Sequence, residues 1–376
     1  MNVKSQSGIG IAMTEHRRRL EIGVFLPNAK NGFALSSNAV AYTPSYEENL
    51  AITLLAEEVG IDYVFSMLKW RGFGGATQFW DAALDSFTLT TALAAVTKRV
   101  RLIATVNPLL SNPAVMAKMS ATLDCISHGR LGLNIITGAT VSEYAQMGVV
   151  PRGYNDHRYD YAEEWVQVLK RLWTESSVTH HGEYFDLDEC VSEPKPVQSP
   201  GPFLVCAASS DEGLRFTARE ANYCFVSREN RVECVRESIR AKEIATEEHR
   251  SIKIAVPMAL VIRDTDHDAD AYYRFLVKGA DVGAMANIGG AHGKEDRESA
   301  QRRGAAYAAK QRPIHMGLQV IGGPEHVAEE IFALATDGDT DSVMLTFPDY
   351  LDGLERFAAT VLPLLRTSLD IGSEAE

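Results

Sequence analysis

Asn134 interrupts an apolar run, LGLNII (131–136). A buried amide there has donors and acceptors that must be matched, either by a structural hydrogen bond or by a ligand with alternating donors and acceptors. Thr105 closes VRLIATV (100–106), and its hydroxyl suits a backbone carbonyl as well as it suits a ligand. Lys69 lies in MLKWRGFGG (67–75). The glycines of that loop let backbone approach a planar ligand whose negative charge the cation answers; a solvated loop is the alternative. Ser209-Ser210-Asp211 precede a helical pattern, where Ser or Asp caps free N–H groups and the positive end of the helix dipole favours an anion. Arg158 and Tyr159, in NDHRYD (155–160), open a long amphipathic stretch. A guanidinium beside a helix N-terminus suits phosphate, while an ion pair with Asp156 or Asp160 would be purely structural.

Other chemistries find no footing. His180 and His181 are adjacent, so on a strand they face opposite ways and cannot both chelate, and no metal is expected. The cysteines at 125, 190, 206, 224 and 234 form no CxxC pair, and Cys206 sits inside an apolar run as a packing residue. No Gly-x-Ser-x-Gly elbow and no Walker loop is present.

The elements that must position these residues alternate along the chain. Apolar, β-favouring runs at 20–27, 61–67, 100–106, 130–136, 203–209, 222–227, 252–262 and 341–347 are separated by helical patterns that end at Gly60 or span 86–97, 113–126, 158–174, 211–220 and 230–247; a last helix closes the chain at 352–368. Eight strands alternating with helices, without a shift in composition, predict a single (β/α)8 barrel over residues 19–376. The rival is a doubly wound sheet, but the first strand leads into Pro27-Asn28-Ala29-Lys30-Asn31-Gly32 rather than a GxGxxG turn. In a barrel the strand tips share one mouth, which brings Lys69, Thr105, Asn134 and Ser210 together. Residues 280–313, Gly- and Ala-rich and then charged, break this rhythm and read as an insertion over one end, serving as a lid or an oligomer contact. Residues 1–18 read as a flexible arm.

Composition narrows the partners. With 45% hydrophobic and 23% charged residues, the 376-residue chain is globular. Fifty acidic against 37 basic side chains give a net charge of -13, which repels nucleic acid and anionic membranes and leaves a small molecule as the expected ligand. Neither a secretory signal nor a membrane span is expected, and cysteine usage suits the cytoplasm.

The stretches FSMLKWRGFGGATQFWD (65–81), SFTLTTALAAVTKRVRLIATV (86–106), ATLDCISHGRLGLNIITG (121–138), EYAQMG (143–148) and HRYDYAEEWVQVLKRLW (157–173) resemble the luciferase-like flavin monooxygenases, and within them the pyrimidine monooxygenases of the Rut uracil-degradation pathway. The resemblance implies a TIM barrel that takes reduced FMN from a separate NAD(P)H:flavin reductase and inserts one atom of O2 into a heterocyclic substrate, opening a ring C–N bond or hydroxylating the ring. By position it assigns flavin contacts to Leu68, Lys69, Asn134 and Glu143, and phosphate contacts to Arg158, Tyr159 and Ser210. It places Thr105 and Asn134 beside dioxygen, with Lys69, Thr105 and Asn134 as donors to the substrate carbonyl oxygen. A homo-oligomer is expected. Two positions depart from the Rut pattern: Ala139 stands where those enzymes carry tryptophan, which implies a larger ring, and His128 replaces a glycine. An organosulfur or halogenated substrate, a deazaflavin-dependent dehydrogenase and a flavin-binding protein without activity are the alternatives.

Overall fold

The structure is a computed structural model that describes residues 18–138, 140–291 and 297–371. Ala139 and all of the N-terminal arm except Arg18 therefore lie outside the described residues. Among the described residues eleven strands appear in chain order: β1 Glu21–Phe25, β2 Tyr63–Ser66, β3 Arg101–Val106, β4 Leu131–Ile135, β5 Val178–His181, β6 Asp186–Cys190, β7 Phe203–Ala207, β8 Tyr223–Phe225, β9 Lys253–Ile262, β10 Leu318–Gly322 and β11 Ser342–Thr346. Eight of them close a parallel ring, β1-β2-β3-β4-β7-β8-β9-β11 and back to β1. These are the eight strands expected from the sequence. Closure leaves no open edge, so every interior strand is paired on both sides.

Two strand features have no counterpart in that expectation. β5 and β6 form an antiparallel hairpin outside the barrel, and β10 joins only the far half of β9, whose ten residues outrun the ring. β6 reads DLDEC and is mostly exposed, so it lacks the apolar run that marks a buried strand. The region 280–313 holds the helices Val282–Ala291 and Arg297–Ala309. The first packs against the loop after β2, with Asn287 Nδ2 donating to the Phe73 carbonyl at 2.7 Å, so the insertion lies over the strand tips.

Helix ends follow local chemistry. Ser45, Asp85, Asn112 and Ser210 each cap a helix by accepting an N–H bond. His128 is the C-cap of Pro113–Ser127 at φ 55°, ψ 45°. That left-handed conformation explains why a glycine suits the position and gives His128 a structural place.

The base of the barrel interior is polar. The Glu21 carboxylate accepts from Arg101 Nη2 at 2.6 Å, from Lys253 Nζ at 2.8 Å and from the Tyr223 hydroxyl at 2.8 Å. Burial pushes Glu21 up, but Arg101 and Lys253 outweigh it and hold the carboxyl below its ordinary value.

Candidate active site

A cavity of about 550 Å³ opens at the C-terminal tips of the ring, within the usual ligand-pocket range of roughly 300–1,000 Å³. Its floor is aromatic. Phe25, Phe65 and Phe225 line it from the ends of β1, β2 and β8, with ring centroids 4.8 Å apart for Phe25 and Phe65 and 5.9 Å for Phe65 and Phe225.

Thr105 and Asn134 are register partners on neighbouring strands, so parallel pairing alone sets them side by side. The Thr105 hydroxyl donates to the Ser66 carbonyl at 2.7 Å and accepts from Asn134 Nδ2 at 3.1 Å. The structural bond foreseen for Thr105 is therefore present, and its proton is committed to backbone. Asn134 keeps one Nδ2 hydrogen to give, and its Oδ1 is buried without a partner. An orphaned buried acceptor costs about 1–3 kcal/mol, and both Asn134 and Thr105 line the cavity.

One wall is an ion pair. Lys69 Nζ stands 2.6 Å from Glu143 Oε2, with the two side chains 8% and 5% exposed, and the Trp70 N–H donates to Glu143 Oε1 at 2.6 Å. The lysine is therefore no solvated loop cation. It also lies 4.4 Å from the Phe73 ring centroid. Asn28 fixes the start of this loop by bonding both the N–H and the carbonyl of Met67, and Leu68 faces the cavity beside Lys69. Gly75, at φ +76°, passes so near Asp281 that a Cβ would come within 2.5 Å of its carboxylate, which explains one glycine of the loop.

The opposite end is cationic. His157 has non-helical backbone angles, so the regular helix starts at Arg158. The Arg158 guanidinium lies 4.8 Å from the Tyr159 ring centroid and makes no ion pair among the described residues. Its expected alternative, a bond to Asp156 or Asp160, is not made; His157 takes Asp160. The Tyr159 hydroxyl is 3.5 Å from Ser210 Oγ, which caps helix Asp211–Glu220 by accepting from Gly213 N at 3.2 Å. Asp211 pairs with Arg240, which offsets its charge at that helix start.

The structure adds Arg228, just past β8, which lines the cavity with Ser227 while Glu237 holds its guanidinium at 3.1 Å. Only the rule that strand tips carry function could have marked it, since SREN reads as a solvated turn. His180 and His181 pair separately with Glu164 and Asp186, and no cluster of three or more metal-ligating side chains occurs among the described residues. Burial pushes the Cys206 thiol well up and Cys224 up to about 12, so neither is a thiolate.

An aromatic floor, a buried unmatched amide and a cation beside a helix start fit a flat heterocycle carrying a phosphate. The model of the luciferase-like monooxygenase family matches residues 20–341. The chain belongs to that family. It is 39% identical over 358 residues to pyrimidine monooxygenase RutA of Yersinia enterocolitica, covering 94% of this chain and 97% of that protein. To RutA of Acinetobacter baylyi it is 36% identical over 360 residues, covering 94% and 97%. Among solved structures, riboflavin lyase RcaE with modified FMN and riboflavin aligns at a TM-score of 0.83 and 22% identity, over 95% of this chain and 94% of the other. The long-chain alkane monooxygenase LadA aligns at 0.80 and 18%, over 96% and 94%. These two likenesses carry the fold. The monooxygenase is thus a flavin-dependent enzyme that uses dioxygen, and among its described residues no helix is long and apolar enough to cross a membrane.

Proposed function

We infer that this monooxygenase takes reduced FMN from a separate NAD(P)H:flavin reductase in the cytoplasm and inserts one oxygen atom into a nitrogen heterocycle of the pyrimidine or cyclic-amide class. The observation that carries this reading is the buried, unpartnered Oδ1 of Asn134 beside an aromatic floor. A flavin or substrate N–H would satisfy that acceptor. The RutA relatives, named for pyrimidines, support the same class.

Reduced flavin, when bound, supplies two electrons that let one atom of dioxygen enter the substrate and the other leave as water. The chain's own part is to bind, orient and keep dry. Arg158 and the Ser210-capped helix start would hold the phosphate through charge-assisted and N–H bonds, with Tyr159 between them. Leu68 and the aromatic floor would flank the ring and exclude water, which strengthens every polar contact inside. The free Nδ2 hydrogen of Asn134 and the remaining donors of Lys69 would stabilise negative charge on a carbonyl oxygen as its carbon is attacked. Thr105 acts here by fixing the Asn134 amide, because its own proton goes to Ser66. Glu143 holds the Lys69 ammonium in place.

The test is to supply photoreduced FMN and dioxygen with a panel of pyrimidines, lactams and ring amides, and to follow products by mass. Products that carry one oxygen atom from dioxygen are expected, each 2 mass units heavier when ¹⁸O2 replaces ¹⁶O2; dioxygen consumed only as hydrogen peroxide with every ring would overturn the reading.

A further inference from the structure

A second cavity of about 470 Å³ adjoins the flavin-sized one, and Thr140 and Glu143 line both. Its other described walls are Arg71, Gly72, Phe73 and Gly74 of the loop after β2, Ser142, and Asn287 with Ala291 of the insertion helix. Small residues make the room: no atom lies within 4 Å of where a Cβ on Gly74 would stand.

Among the described residues the charges in this space do not cancel. Its one described carboxylate, Glu143, is neutralised by Lys69 at 2.6 Å and by the Trp70 N–H at 2.6 Å. Its one described cation, Arg71, has neither an ion pair nor a hydrogen bond among the described residues. The loop therefore carries two cations with different fates, Lys69 turned into a buried pair and Arg71 left open on the far side of that pair. Arg71 is exposed and shares the cavity with Ser142 and with Asn287, whose Nδ2 is already given to the Phe73 carbonyl. A guanidinium whose donors meet no partner among the described residues matches an oxyanion bidentately.

We propose that this second cavity is a substrate subsite in which Arg71 binds an anionic substituent, a carboxylate in the first instance, carried by a heterocycle whose ring lies over the flavin site. The proposal rests on the function inferred above and names its substrate class more closely. A lone six-membered ring would leave the second cavity to water, whereas a substituted ring spans both.

The experiment compares uracil-6-carboxylate with uracil as probes on the FMN-loaded protein by titration calorimetry. At least tenfold tighter binding of the carboxylate is expected for the native chain. Arg71→Met should abolish that preference while leaving uracil affinity within about twofold, and Arg71→Lys should restore part of it. Ser142→Trp, which fills the cavity without touching Arg71's charge, should weaken the carboxylate probe at least fivefold more than uracil. Equal affinity for the two probes in the native chain, no detectable binding of the carboxylate, or a parallel loss of both in Arg71→Met would each overturn the subsite. Oxygenation is scored apart from binding: a carboxylate preference that depends on Arg71 supports the subsite, and a failure of all rings to be oxygenated then counts against the inferred reaction alone.

Discussion

The two ends of this barrel are both polar, yet they are built on opposite principles. At the base, Glu21 meets Arg101, Lys253 and Tyr223, so the one carboxylate is in contact with two cations and a hydroxyl and every one of these groups has a partner. At the mouth, Asn134 keeps an unmatched acceptor, and Arg158 and Arg71 make no ion pair among the described residues. A matched buried network holds a fold in one arrangement, while unmatched polar groups lining a cavity are available to bind a ligand. Lys69 and Glu143 stand between these cases, paired with each other while both line the first cavity and Glu143 also lines the second.

This contrast can be broken most forcefully at Asn134. Asn134→Ala should lower kcat by about 10²–10³, the cost of removing one preorganised donor, with stability within about 1 kcal/mol because an unpaired acceptor leaves with the amide. Steady-state oxygenation and a thermal melt measure both, and unaltered turnover would remove the residue from the chemistry. Arg158→Ala should weaken FMN binding by about 1.5–3 kcal/mol without affecting riboflavin, as fluorescence titration would show; a native chain that binds the two flavins equally well has no phosphate site.

The base should respond in the other currency. Glu21→Gln is expected to cost about 2 kcal/mol of stability, below the range for a fully buried pair because Arg101 and Lys253 are partly exposed, with kcat per folded molecule unchanged. The sign with pH follows from the lowered Glu21 value: its contribution is present above the ordinary carboxylate range and is lost as pH falls through the lower folded value. Denaturation midpoints from neutral pH into acid should therefore fall more for the native chain than for Glu21→Gln, and parallel curves would count against the network. The smallest effect is expected at Ser210→Ala, about 1 kcal/mol from the lost helix cap with a modest loss of FMN affinity; an unchanged melting temperature would show that the cap contributes nothing.

Much of the architecture could be read in advance because the barrel strands are long apolar runs whose character survives any context. All eight ring strands coincide with such runs, as the helices after Asp85 and Ser210 coincide with their capping residues. The hairpin β5–β6 could not, since its only buried apolar residues, Val178 and Leu187, stand singly among polar ones and form no run. Thr105, Asn134 and Ser210 were legible as polar residues at strand ends and helix starts. Arg228 was not, because a cation after a short strand looks the same whether it faces water or a cavity.

Sequence by itself determined the periodicities, hence the order of strands and helices, and the kinds of side chain available at each tip. Tertiary structure alone decided how those side chains are matched. Lys69 finds Glu143 across 74 positions of chain, Thr105 meets Asn134 through the β3–β4 register, and Arg71 has no partner among the described residues. Hydropathy is a property of each residue and can be summed along a window, but hydrogen-bond partnership exists only between atoms that folding has brought within about 3 Å.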